Sequence, residues 1–141
     1  MKLPFLNKSF GEIFDSEGKK IRLSHIKNMV CVALADNKLR QVEKDLIVKI
    51  ALGMGLEPLE IERIIYRPES VDFYPPKSYN ERLTQLHHLV MIMMCDGEID
   101  DEEKTMCKIL ALQLGFKSGI VDGIIDKIIL EIASDFLNGI S

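Results

Sequence analysis

The chain has 141 residues, 47% of them apolar and 28% charged, with few aromatics, no Trp and a formal charge of −4. That length and balance describe one globular domain that buries its core without disulfide staples. The acidic excess argues against a nucleic-acid surface, and no apolar run approaches the roughly 20 residues that span a bilayer.

Residues 1–19 read as an N-terminal lead segment. Its opening, Met1-Lys2-Leu3-Pro4-Phe5-Leu6-Asn7-Lys8, holds too short an apolar run for a secretory signal, so a cytoplasmic location is expected. The short basic cluster Lys19, Lys20 and Arg22 lies beside Glu12, Asp15 and Glu17, as on a solvated helix start. Cys31, Cys95 and Cys107 show no Cys-x-x-Cys spacing and sit in apolar helical contexts, which predicts buried, reduced thiols.

From there the apolar spacing is helical throughout. Ile26, Met29, Val30 and Ala33 mark a first face that stops near Asp36. Leu39, Val42, Leu46, Ile50 and Met54 mark a second, ending at Gly55, and Leu59, Ile61, Ile64 and Ile65 a short third. Residues 67–79 contain Pro68, Pro75 and Pro76 and read as a connector, because proline has no N–H to give a helix and pushes its predecessor toward extended backbone. The series then returns. Tyr79, Leu83, Leu86, Val90 and Met93 lead to Asp96-Gly97, and Ile99, Met106, Leu110 and Leu114 lead to Gly115. Val121, Ile124, Ile125, Ile128 and Ile132, with Ile120 and Ile129 beside them, predict a last helix with a wide apolar face, suited to a central core position or a homodimer contact.

The two series align without gaps at an offset of 60 residues: Asp36 with Asp96, Glu43 with Glu103, Lys44 with Lys104, Ala51 with Ala111 and Gly55 with Gly115. This is the pattern of an internal duplication. The fold class expected is all-α, with two pseudo-repeated three-helix units (20–66 and 80–136) packed as one helical bundle domain spanning 20–141.

The matched core is Ala35-Asp36-Asn37-Lys38-Leu39-Arg40-Gln41-Val42-Glu43-Lys44 against Cys95-Asp96-Gly97-Glu98-Ile99-Asp100-Asp101-Glu102-Glu103-Lys104. Asp-Gly-x-Ile-x-x-x-Glu matches the second half of an EF-hand loop. A calcium loop also needs oxygen ligands two and four residues earlier, where this chain has Met94 and Ile92, or Leu34 and Val32 in the first copy. The EF-hand is therefore excluded.

A helix ending in Ala/Cys-Asp-Gly, followed by a turn residue such as Ile or Leu and by Glu-Lys one turn into the next helix, resembles the TerB-like domain of tellurite-resistance proteins over roughly residues 20–133. The resemblance implies an all-helical fold, a metal-binding face of clustered acidic residues, and a stress-response role in membrane-associated protein complexes. A related domain occurs in a membrane-anchored J-domain co-chaperone, but this chain has no His-Pro-Asp signature. Carried over residue by residue, it points to Asp36 and Glu43 in one unit and Asp96 and Glu103 in the other, with Asp100 and Glu98 able to add oxygens. Four carboxylates could offer up to about eight oxygens to a hard divalent cation such as calcium, magnesium, manganese or zinc. The first copy departs from the pattern: Asn37 replaces Gly, and Lys38 and Arg40 bring positive charge beside the site.

A structural reading stands beside this one. Gly97 and Asn37 suit the left-handed residue that ends a helix, and Asp100 with Glu103 forms a capping-box pattern. Caps leave unexplained why Asp36 and Asp96 sit at helix C-termini, where the helix dipole disfavours a carboxylate. His87 and His88 near Met91, Met93, Met94 and Cys95 suggest a soft-metal site, but His88 and Asp96 lie about 12 Å apart along a helix. His25 is a lone histidine. No phosphate loop, nucleophile elbow or His-Glu-x-x-His motif is present, so a non-enzymatic binding module with a protein partner is expected. The alternative is a purely structural or interaction module without metal.

Overall fold

The computed structural model describes the backbone of residues 10–140 and the side chains of residues 16–139. Six helices follow in chain order: α1 (Phe10–Ala33), α2 (Gln41–Gly53), α3 (Pro58–Tyr66), α4 (Tyr79–Met94), α5 (Asp101–Gln113) and α6 (Ser118–Ile140). Among the described residues there is no strand. The expected all-α bundle is thus the fold. Residues 10–19 of the lead segment belong to α1, while residues 1–9 lie outside the described residues.

Local chemistry sets the helix ends. Pro58 stands at the first position of α3, where a missing N–H costs nothing. Ser78 Oγ accepts the Glu81 N–H at 3.1 Å and starts α4. At the far ends of α2 and α5 the chain closes in the same way: Leu56 N–H and Phe116 N–H donate to Ala51 O and Ala111 O, each at 3.1 Å. Gly55 N–H and Gly115 N–H donate to Leu52 O and Leu112 O at 3.0 Å, completing two Schellman motifs 60 residues apart.

The centre of the molecule is the α1–α4 pair. Ile26, Met29, Val30 and Ala33 of α1 and Leu86, Leu89, Val90 and Met93 of α4 are fully buried. α1 also carries α2 and α3 and touches α5, while α4 carries α5 and α6 and touches α2. The wide apolar face of α6 does not make it central. Val121, Ile125 and Ile128 are buried, but the stripe continues past the bundle, leaving Leu130, Phe136 and Leu137 mostly exposed. Val42 and Leu59, read as core-facing, are also exposed because the short helices bury only a narrow stripe, and Ile99 is exposed in the turn that precedes α5.

The connector is tied down rather than loose. A 3-10 turn covers Pro68–Ser70. Beyond it, Tyr74 N–H donates to the buried Ser24 Oγ at 2.8 Å, Lys27 Nζ donates to Val71 O, and Arg82 Nε donates to Pro76 O at 2.7 Å. These bonds hold the segment against α1 and α4. The three cysteines are free thiols; Cys107 is fully buried and burial pushes it up to about 12, whereas Cys31 and Cys95 are only partly buried.

Candidate functional site: an acidic junction around Arg40

α1 and α4 end in the same kind of turn. Asn37 and Gly97 both adopt left-handed backbone, with φ of 66° and 84°. Gly takes this conformation freely and Asn more readily than other side chains. Each turn is closed by its aspartate: Asp36 Oδ1 accepts the Lys38 N–H at 3.1 Å, and Asp96 Oδ1 accepts the Glu98 N–H at 3.0 Å. This answers the question of why a carboxylate sits at a helix C-terminus, since the Asx turn recovers in hydrogen bonding what the dipole costs.

The following helices begin differently. In α5, Asp100 Oδ1 accepts from Glu102 N–H at 2.8 Å and Glu103 N–H at 3.3 Å. At the matching place before α2 stands Arg40, whose own N–H donates to Glu43 Oε1 at 3.0 Å. Arg40 cannot cap a helix with a side-chain oxygen, and its guanidinium goes elsewhere.

It enters the space between the two turns. Arg40 Nη1 lies 2.8 Å from Asp36 Oδ2, 3.4 Å from Glu103 Oε1 and 3.6 Å from Glu43 Oε1. Its Nε lies 3.5 Å from Asp96 Oδ2. The structure therefore brings Asp36, Glu43, Asp96 and Glu103 together from both halves of the chain, with a cation of the protein's own among them. Asp100 is engaged as the α5 cap and reaches the cluster only through its field on Glu103. Glu98 is exposed.

Glu43 and Glu103 are each 1% exposed. Burial comes first, and then the Glu43 charge, in pushing the Glu103 carboxyl up to about 8. Burial also raises Glu43, against the Arg40 N–H and guanidinium that favour its charged form. Glu43 Oε2 is buried without a conventional donor, and a proton carried by Glu103 is what it can share. Asp36 is opposite in sign. Partial burial works against its charge, but hydrogen bonds from Lys38 N–H and from Arg40 prevail and hold it below the usual carboxylate range. Four carboxylates around one guanidinium leave a net charge of −3, or −2 when Glu103 is protonated.

Chemically, this arrangement can hold a proton, exchange a cation, or bridge the two turns. With the guanidinium in place the carboxylates are spread around it. Among the described residues no group of three or more His, Cys, Asp or Glu side chains is set to hold a metal ion. No described helix is long and apolar enough to cross a membrane.

Two further features lie nearby. Beside Asp96 opens an apolar groove of about 750 Å³, lined from α2 by Leu46, from α4 by Met91 and Met94, and from α6 by Ile132, Phe136 and Leu137. In the α1–α4 seam, His25 Nε2 and His88 Nδ1 share one proton at 2.8 Å, their rings stacked at 5.0 Å. Burial, and then His88, push His25 down to about 3. His25 carried no signal by itself. At the 60-residue offset, however, it aligns with Gln85, and Asn28 aligns with His88. Polar residues at the same two core-face positions in both halves were the available clue.

No family model, curated protein or solved structure matches this chain.

Proposed function

We propose that the chain is a non-enzymatic, TerB-like binding module of the stress-response kind, whose acidic junction takes up a divalent cation and which docks a protein partner. The observation that carries this reading is the pair Glu43 and Glu103. Two carboxyls buried side by side, one oxygen lacking a donor, are costly unless a cation or proton reconciles them. Without the guanidinium the junction carries −4, or −3 with Glu103 protonated, a negative charge that one divalent ion reduces and does not reverse. Such an ion enters only if Arg40 turns outward, and its side chain, 36% exposed, has an open path to do so. Oxygen donors alone suit calcium, magnesium or manganese, with zinc less well served. A cytoplasmic location and membership of a membrane-associated complex belong to the same proposal, as does the absence of nucleic-acid binding.

The test is thermal melting of chelator-treated protein with and without each of the four ions. An ion at 100 times its dissociation constant stabilises by about 2.7 kcal/mol, which raises the midpoint by roughly 5–10 °C at this size. The rise disappears in the double variant Asp96→Asn, Glu103→Gln. No rise with any ion sinks the cation reading.

A second reading keeps the module and drops the metal. Arg40 already contacts all four carboxylates, so the junction works as an ionic tie between the two halves. The docking surface is then the whole function, and melting is indifferent to chelator.

A further inference from the structure

We propose that the groove between the α4–α5 turn and the C-terminal half of α6 receives an amphipathic helix of another protein, with a lysine or arginine at one end of its apolar stripe. This rests on the partner-docking half of the reading above and is independent of cation binding.

The groove has an apolar floor and an exposed apolar rim. Met91 and Met94 give it an adaptable base, since unbranched thioether side chains repack around different shapes. On the rim Phe136 is 69% exposed and Leu137 67%, with Ile99 opposite at 46%. Large apolar groups gathered around a concavity mark an interaction site, whereas singly scattered ones do not. The α6 wall runs from Ile132 to Leu137, about one and a half helical turns. Anchors at i and i+3 or i+4 of a docked helix match that length, and an i+7 anchor extends just beyond it.

Charge selects the occupant. Asp96 is the one charged residue among those lining the groove, and it stands at its junction end. Among the described residues its Oδ2 is paired with Arg40 Nε at 3.5 Å, and its side chain keeps 19% of its exposure. Behind it lie Asp36, Glu43 and Glu103, so that end of the groove is net negative. An incoming base is attracted there and an incoming acid repelled. The same argument disfavours a symmetric dimer that seats α6 in the partner's groove, because its exposed stripe, Leu130 to Leu137, contains Glu131 and Asp135 and no Lys or Arg.

The experiment uses the full chain in chelator and three synthetic amphipathic 14-residue peptides. They share leucines at i, i+3, i+4 and i+7 and differ only in one end residue: Arg, Gln or Glu. Isothermal titration should show the Arg peptide binding at least about fivefold more tightly than the Glu peptide. Asp96→Asn should erase that preference while leaving binding, and Phe136→Glu, an exposed position that folding tolerates, should abolish binding of all three. Binding indifferent to the end charge, or no binding at all, overturns the proposal. So does a dimer in sedimentation that Phe136→Glu dissociates, since a second copy would then own the groove. Loss of ion-dependent melting with the peptide preference intact would defeat only the cation reading.

Discussion

Arg40 and Asp100 occupy the same place in the two halves, and the difference between them decides how the junction behaves. Asp100 caps its helix, whereas Arg40 sends a guanidinium across to Asp96 and Glu103. Arg40→Gln keeps a polar group but removes the charge. Ion-free protein carrying it should melt below wild type, because four carboxylates then face one another without a counter-charge. Added divalent ion should raise its midpoint by more than in wild type, since no resident cation must be displaced. Melting curves at matched ion concentrations read both effects.

Protons act on the same residues with opposite signs at two places. Glu103 is raised from 4.5 to about 8, so its folded form holds a proton that the unfolded chain has released. Its contribution is complete below pH 4.5 and is lost as pH rises toward 8. His25 is lowered from 6.5 to about 3, so below pH 6.5 the unfolded chain takes a proton that the folded core refuses. Its contribution is complete above 6.5 and is lost as pH falls toward 3. Midpoints measured across pH should therefore crest between about 4.5 and 6.5. Glu103→Gln should flatten the alkaline limb and leave the acid limb alone.

At the scale of elements, the turn chemistry carries measurable weight. Asp100→Ala removes acceptors from two N–H groups of α5 and should cost about 1 kcal/mol in urea unfolding. Gly97→Ala meets no atom within 4 Å, so its cost is that of a side chain in left-handed backbone alone, about 1–2 kcal/mol. Asn37→Gly relieves that same strain in the first turn and should be neutral or slightly stabilising. These turns were legible from the order of residues. Asp-Asn and Asp-Gly after an apolar stripe, then an acid three positions into the next stripe, are local signals, and local bonds make them. That Asp36, Glu43, Asp96 and Glu103 form one acidic face was what the TerB-like resemblance implied, and the 60-residue offset alone does not bring two turns together in space. Arg40 was visible as a charge beside the first turn, but its reach to Asp96 and Glu103 depends on how α1 and α4 pack. The His25–His88 pair is hidden for the same reason, because its members are 63 residues apart. The width of the α6 stripe was plain from its isoleucines. That its C-terminal half would overhang the bundle was not, because apolar periodicity reports a face and not what covers it.

For the whole molecule, the decisive contact is the α1–α4 pair, which buries the same positions of both halves against each other. Neither half closes its own core. During synthesis the first three helices leave the ribosome with Ile26, Met29, Val30 and Ala33 still uncovered, and more than 40 residues must follow Ala33 before α4 begins. Until then the nascent chain presents a sticky stripe to whatever holdase is near. A separate chain of residues 1–78 should therefore lack sharp amide resonances and bind a hydrophobic dye, and adding residues 79–141 in trans should restore dispersion. The time between the emergence of α1 and that of α4 is when this protein is most exposed to aggregation. Codon choice or pausing along the connector would set how long that exposure lasts.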